Sequence, residues 1–229
     1  MSRMANPLEG IRAVLFDMDG TLVETDIDFP LMKREMLALG ERYGVSSAEL
    51  QALDILAVVD SVVARLERNS REDEARRARQ EAFEKLEEIE LAHCQAARPI
   101  RGALDLLRAL REAGIKVAIV TRNCRSAVRL SLERSGISAD VLLTRDDVSN
   151  TKPHPDHLHA ALEMLGLRAD EAVMVGDHWM DVRAGKAAGT RTVGFLRPER
   201  PDDFFDDEKP DLVVRDLTEL LEHIKRLKK

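Results

Sequence analysis

Asp17 and Asp19 stand one residue apart in FDMDGTLVE, Phe16 to Glu24, directly after the apolar run Ala13-Val14-Leu15. Carboxylates so close together repel one another, and a bound cation is the usual remedy. A short apolar run bounded by polar residues and glycine reads as a buried strand, and Gly20 permits a sharp exit beyond its end. Both acids then project from a strand tip, where parallel sheets of α/β proteins hold their ligands. Alone, D-x-D-G reads as an acidic turn. Further polar signals follow other predicted strands: Thr121 after Val117 to Val120, Lys152 in a loop after Val141 to Leu143, and Asp177 and Asp181 after Ala172 to Val175. Singly, Thr121 is an ordinary N-cap, Lys152 a solvated loop lysine, and Asp181 an acid favoured by the helix dipole. Converging on one sheet edge, carboxylates, a hydroxyl and an ammonium describe a site for Mg²⁺ and phosphate, since that ion takes hard oxygen ligands and bridges carboxylates to substrate phosphate.

The elements that must position these residues are legible from periodicity. From Gly102 onward helix and strand alternate: a helix at Leu104 to Ala113 stopped by Gly114, then a strand at Val117 to Val120, then a helix stopped by Gly136. A strand at Val141 to Leu143, a helix at Pro155 to Leu165 closed by Gly166, and a strand at Ala172 to Val175 follow. The helix Asp181 to Ala188 closes at Gly189, the strands Thr192 to Phe195 and Leu212 to Val214 complete the sheet, and Leu217 to Leu227 forms a terminal helix. This alternation predicts an α/β fold, a doubly wound parallel sheet with helices on both faces. Arg197 to Pro210, proline-containing and acidic, reads as a surface loop.

Between Glu24 and Arg98-Pro99 the pattern is helical throughout, as in an inserted domain. Ser46-x-x-Glu49 resembles a capping box, and Leu50, Leu53, Leu56, Val59, Val63 and Leu66 mark one face of the helix it opens. Asn69 and Ser70 end it, and a second long helix with Ala75, Ala78, Ala82, Leu86, Ile89 and His93 on one face completes an antiparallel hairpin. The mixed charges from Arg65 to Glu90 mark a solvated face.

A chain of 229 residues with 44% hydrophobic content can bury a substantial core. A net charge of -7 offers no long-range attraction to nucleic acid or an anionic membrane, which points to a small-molecule substrate. No stretch is long and apolar enough to span a bilayer, and Met1 to Gly10 lacks a secretory layout, so a cytoplasmic location is expected. Cys94 and Cys124 form no C-x-x-C pair and read as reduced thiols, Cys124 serving only helix packing. His154, His157 and His159 cluster in sequence, but an exposed helix terminus at Pro155 accounts for them without a metal. Trp179 and His178 are expected to pack beside Asp177. Lys33, Arg34 and Arg42 could meet an anionic substrate, although solvation is the simpler use.

These residues resemble the haloacid dehalogenase superfamily, specifically its phosphatases with a helical cap, in the phosphoglycolate phosphatase and β-phosphoglucomutase branch. DMDGTLVE resembles the first motif, Thr121 the second, Lys152 in TKPHP the third, and GDHWMD, Gly176 to Asp181, the fourth. The chain departs from many relatives at Arg122, the position directly after Thr121, where they carry asparagine; here asparagine comes next, as Asn123. The resemblance implies a Rossmann-like catalytic core at residues 1–24 and 99–229, and a cap at 25–98 that closes over it and carries most of the substrate selectivity.

By the same resemblance, Asp17 attacks phosphorus and Asp19 protonates the leaving oxygen, then activates water. The Asp17 and Asp177 carboxylates and the Asp19 carbonyl hold Mg²⁺, with Asp181 acting at one remove or through water. Thr121, Lys152 and backbone N–H groups near Arg122 bind the phosphoryl oxygens, and Gly20 and Thr21 shape the pocket. The implied activity is Mg²⁺-dependent hydrolysis of a small phosphorylated metabolite through an aspartyl phosphate. A phosphomutase would use the same acids. A haloacid dehalogenase would need neither Asp19 nor the metal acids, and a phospho-accepting receiver module is disfavoured by the D-x-D order and the helical insertion.

Overall fold

The computed structural model describes residues 8–225, with side chains described through residue 223. The expected terminal helix is observed as Leu217–Lys225, its last expected residues and most of the N-terminal leader lying outside the described part. The chain divides into two compact units, one of Met1–Thr25 with Ala96–Lys229 and one of Asp26–Gln95.

The larger unit is built on β1 (Ala13–Phe16), β4 (Lys116–Val120), β5 (Val141–Leu143), β6 (Ala172–Gly176), β7 (Arg191–Phe195) and β8 (Leu212–Val214). They form one six-stranded sheet in the order β5-β4-β1-β6-β7-β8, every pairing parallel. The chain winds from β1 outward to β4 and β5, then crosses back to β6 and proceeds to β7 and β8, so the winding reverses at β1. Such a reversal opens a crevice at the carboxyl ends of the strands.

Alternation along each strand explains why both faces are covered. Val14, Phe16, Val117, Ile119, Val173 and Val175 share a core with α5 (Ala103–Glu112) and α9 (Leu217–Lys225) through Leu106, Leu110, Leu217 and Leu220. Their neighbours Ala13, Leu15, Ala118, Val120, Ala172 and Met174 face α7 (Asp156–Leu165) and α8 (Trp179–Ala188) through Leu158, Leu162, Ala184 and Ala188. A strand buried on both sides must be apolar throughout, which is why these runs carry no polar interruption before their tips. Each large apolar side chain buried here contributes roughly 1.5–3 kcal/mol. A short antiparallel ribbon, β2 (Val23–Glu24) with β3 (Arg98–Pro99), sets Glu24 opposite Arg98.

The smaller unit holds α1 (Phe29–Arg42), α2 (Ser47–Leu50), α3 (Ile55–Arg68) and α4 (Glu72–His93) around its own core of Met36, Leu39, Leu50, Val58, Val62, Leu66, Ala78, Ala82 and Leu86. The single helix expected from Ser46 onward is two. Ser46 caps only a short turn of helix, and Asp54, whose carboxylate accepts from the Leu56 and Ala57 N–H groups, starts α3 afresh. Asp54 is itself a strong N-cap, and apolar spacing alone does not register an intervening break. Asp60 and Arg79, similarly far from the Asn69–Ser70 turn, pair at 3.4 Å, as antiparallel α3 and α4 require. Lys33 is not a solvated side chain: its ammonium donates to the Leu50 and Leu53 carbonyls. Among the described residues no helix is long and apolar enough to cross a membrane.

Candidate active site

Met18 is fully buried, so the acids on either side of it both turn away from the core. Its carbonyl accepts from the N–H groups of Thr21, Leu22 and Val23, coiling the chain into a tight turn directly after β1. Gly20 sits in that turn at φ +81°, and a Cβ there would lie 2.3 Å from Asp177 Oδ2. Glycine is therefore required twice, by conformation and by space.

Asp17, at the tip of β1, donates its backbone N–H to the Val175 carbonyl of β6 at 2.9 Å. Lys152 is buried, and its ammonium donates to Asp17 Oδ1 and to Asp181 Oδ1, both at 2.7 Å. Asp181 lies in the first turn of α8 and accepts the His178 N–H on its other oxygen at 3.1 Å. Oxygens of Asp17, Asp177 and Asp181 lie within 4.8 Å of one another. The strand tips thus bring these four residues together. The glycine at the end of β6 keeps that space open, because a Cβ at Gly176 would meet the Asp181 carboxylate at 2.2 Å.

Crowding sets the electrostatics. Burial, reinforced by Asp181 and opposed by Lys152, raises Asp17 from 3.8 to about 6. Asp177 is pushed well above the usual carboxylate range by burial and then by Asp17 and Asp181. Burial alone would lower Lys152, but Asp17 and Asp181 outweigh it and hold the ammonium charged. Three carboxylates with one ammonium, which bonds two of them, form an oxygen-only donor set with excess negative charge, and the chemistry of that set fits Mg²⁺.

Thr121 is buried just past the end of β4, its N–H bonded to the Leu143 carbonyl of β5 at 2.9 Å. Arg122 extends Nη1 to Met180 Sδ at 2.6 Å, and Thr21 is fully buried, its hydroxyl lacking a hydrogen-bond partner among the described residues. The Asp19 carboxylate is not in the acidic group of three. It accepts the Thr25 hydroxyl on Oδ1 at 2.6 Å and the Asn123 amide on Oδ2 at 2.5 Å.

Three features escaped the sequence reading. His157 is fully buried in α7, not exposed, with Nδ1 3.4 Å from the Lys152 backbone N–H; burial and then the Lys152 charge hold its pKa down at about 3, so it is neutral. Arg197 lies just past β7 and donates to the Gly20 carbonyl at 3.2 Å and to Glu24 at 3.4 Å, tying down the turn after β1. Phe205 is buried beneath Gly194, so the segment Arg197 to Pro210 is a packed loop and not merely surface. Phenylalanine in that acidic segment was the available signal. His178 and Trp179 pack ring against ring, 5.3 Å apart, and Arg183 covers the indole.

The fold and its strand-tip acids define a doubly wound α/β core with an acidic site at its carboxyl edge, and comparison with known proteins places it. Residues 14–195 match the family model described as haloacid dehalogenase-like hydrolase, so the chain belongs to that family and is an enzyme of its phosphatase kind. It is 30% identical over 219 residues to pyrophosphatase PpaX of Halalkalibacterium halodurans, covering 93% of this chain and 96% of that one. Pyrophosphatase PpaX of Bacillus pumilus is 38% identical over 120 residues, 52% of this chain and 56% of the relative. The crystal structure of a predicted phosphoglycolate phosphatase from Haemophilus somnus 129pt shares the fold, with a TM-score of 0.61, 21% identity, and coverage of 94% of this chain and 98% of that one.

Proposed function

We propose that this enzyme is a Mg²⁺-dependent phosphomonoester hydrolase that acts on a small phosphorylated metabolite through an aspartyl phosphate on Asp17. The observation that carries this reading is the Lys152 ammonium shared between Asp17 and Asp181, with Asp177 alongside. Asp17, Asp177 and the Asp19 carbonyl would hold the ion, with Asp181 behind them, and the ion would supply positive charge against the repulsion between carboxylate and phosphate.

The remaining steps belong to the chain's own residues. An Asp17 carboxylate oxygen forms a bond to phosphorus as the bond to the leaving oxygen breaks, and Asp19 gives that oxygen its proton. Lys152, Thr121 and the N–H groups near Arg122 bind the other phosphoryl oxygens, where charge resides in the transition state. Asp19 then takes a proton from water, whose oxygen bonds to phosphorus while the bond to Asp17 breaks, releasing inorganic phosphate. Unit Asp26–Gln95 serves as the cap, and selectivity among metabolites resides chiefly there. Pyrophosphate is the second reading of the substrate, favoured by the name of the relatives at 30% identity over most of the chain.

The test is a phosphate-release panel of sugar, glycolate and other small monophosphates together with pyrophosphate, run with Mg²⁺, with EDTA, and after Mg²⁺ is restored. Turnover lost in chelator and regained with Mg²⁺ is expected. Unchanged rates in EDTA remove the metal, and transfer of the phosphoryl group to a sugar without phosphate release makes the enzyme a mutase.

A further inference from the structure

Asn123, two residues past Thr121, is buried in the loop between β4 and α6 (Arg125–Ser135) and held at both backbone ends. Its N–H donates to Thr121 Oγ1 at 3.3 Å, and its carbonyl accepts the Arg145 N–H at 3.2 Å. Arg145 is also buried, and its guanidinium donates to the Arg122 carbonyl at 3.2 Å, so this residue, two past the end of β5, braces the same loop a second time. From this braced position Asn123 Nδ2 reaches Asp19 Oδ2 at 2.5 Å, while Thr25 holds Oδ1. Two donors on different oxygens, brought by different segments, define the plane of a carboxylate that would otherwise rotate.

A proton donor must lie within about 2.6–3.2 Å of the atom it serves. Each carboxyl oxygen has two lone-pair sites, so an amide N–H can keep its place while Asp19 gains and loses a proton. An amide therefore suits both halves of a reaction in which the same carboxyl group alternates between acid and base.

We propose that Asn123 is a positioning residue whose side-chain amide sets the orientation in which Asp19 exchanges protons with the leaving oxygen and with water. The proposal rests on the phosphoryl-transfer reading above and adds a residue outside its chemical steps.

The experiment measures single-turnover phosphorylation of Asp17 in the full-length wild type and in Asn123→Ala, with Mg²⁺, using an alkyl monophosphate and acetyl phosphate as donors. An alkoxide needs a proton as it leaves, whereas acetate leaves as the anion. Asn123→Ala should slow the alkyl donor by about 10- to 100-fold and acetyl phosphate by less than about threefold, with kcat for the alkyl substrate falling more than KM rises. Asn123→Asp, nearly isosteric, sets a carboxylate against Asp19 and should show the same selective loss; it decides the question if the alanine protein fails to fold in a thermal melt. Equal slowing with both donors would make Asn123 merely a structural part of the phosphate loop and overturn the proposal, as would no slowing with either. If the wild type forms no phosphoenzyme from either donor, the phosphoryl-transfer reading itself fails and takes the proposal with it.

Discussion

Lys152 is the residue on which the charge balance of the strand tips turns, since it is shared by two acids and stands near a third. Asp17 keeps its proton to about 6 in the native state, against an ordinary 3.8. Between those values the folded chain holds a proton that the unfolded chain has released, so this contribution to stability is complete at acid pH and is lost as pH rises through 6. Asp17→Asn carries no charge to desolvate. It should lower turnover by about 10³ or more, yet without metal melt a few degrees above wild type at neutral pH, the difference vanishing below pH 4. A melting series across that range, paired with phosphate release, checks both outcomes. His157 acts in the opposite sense: neutral in the fold down to about 3, it gives stability that is complete above its unfolded value of 6.5 and is lost as pH falls. His157→Gln should therefore lose less melting temperature than wild type between pH 6.5 and 4. The acids, Thr121 and Lys152 were legible because each follows a strand whose apolar run ends abruptly. Asn123 and Arg197 were not, because their partners lie far along the chain and no spacing rule links them; His157 was not, because its position beside Pro155 reads as an exposed helix start although it packs back on Lys152.

At the scale of elements, the turn after β1 depends on a glycine that does two things at once. Gly20→Ala would place a Cβ at positive φ and against Asp177. Strain of this kind costs about 1–3 kcal/mol, and a displaced Asp177 should raise the Mg²⁺ concentration needed for half-maximal activity by about tenfold. Urea unfolding and a Mg²⁺ titration of phosphate release separate the two effects. A loss of stability with unchanged metal dependence would show that Asp177 yields without consequence. The strands were readable because burial on both faces demands unbroken apolar runs, and helix ends were readable where glycines such as Gly136 and Gly166 take left-handed conformations. The break between α2 and α3 was not, because the apolar residues on either side keep a helical spacing across it. Packing of Phe205 under β7 was equally hidden, since proline and acidic residues dominate the composition of its loop.

For the whole molecule, the change in hydrophobic period between Glu24 and Arg98 separates helical from alternating sequence without indicating a substrate. The geometry of the larger unit nevertheless makes separation of the two testable. All six strands of the parallel sheet and both of its apolar layers belong to the larger unit, while α1 to α4 enclose an independent core. The chain leaves the larger unit after β2 and re-enters it before β3, and those strands pair antiparallel with Glu24 opposite Arg98. The two ends of the excursion are therefore already neighbours within the core, so a few flexible residues can join them with little loop-closure cost. Replacing residues 26–95 by a short Gly/Ser linker should leave a folded protein that retains Asp17, Asp19, Thr121, Lys152, Asp177 and Asp181. Because an aryl oxide leaves readily, that protein should still hydrolyse an aryl phosphate while discriminating among metabolite phosphates at least about tenfold less than the full chain. Selectivity unchanged in the shortened protein would place it in the core, and failure of that protein to fold would show that α1 to α4 contribute to stability beyond their own apolar cluster.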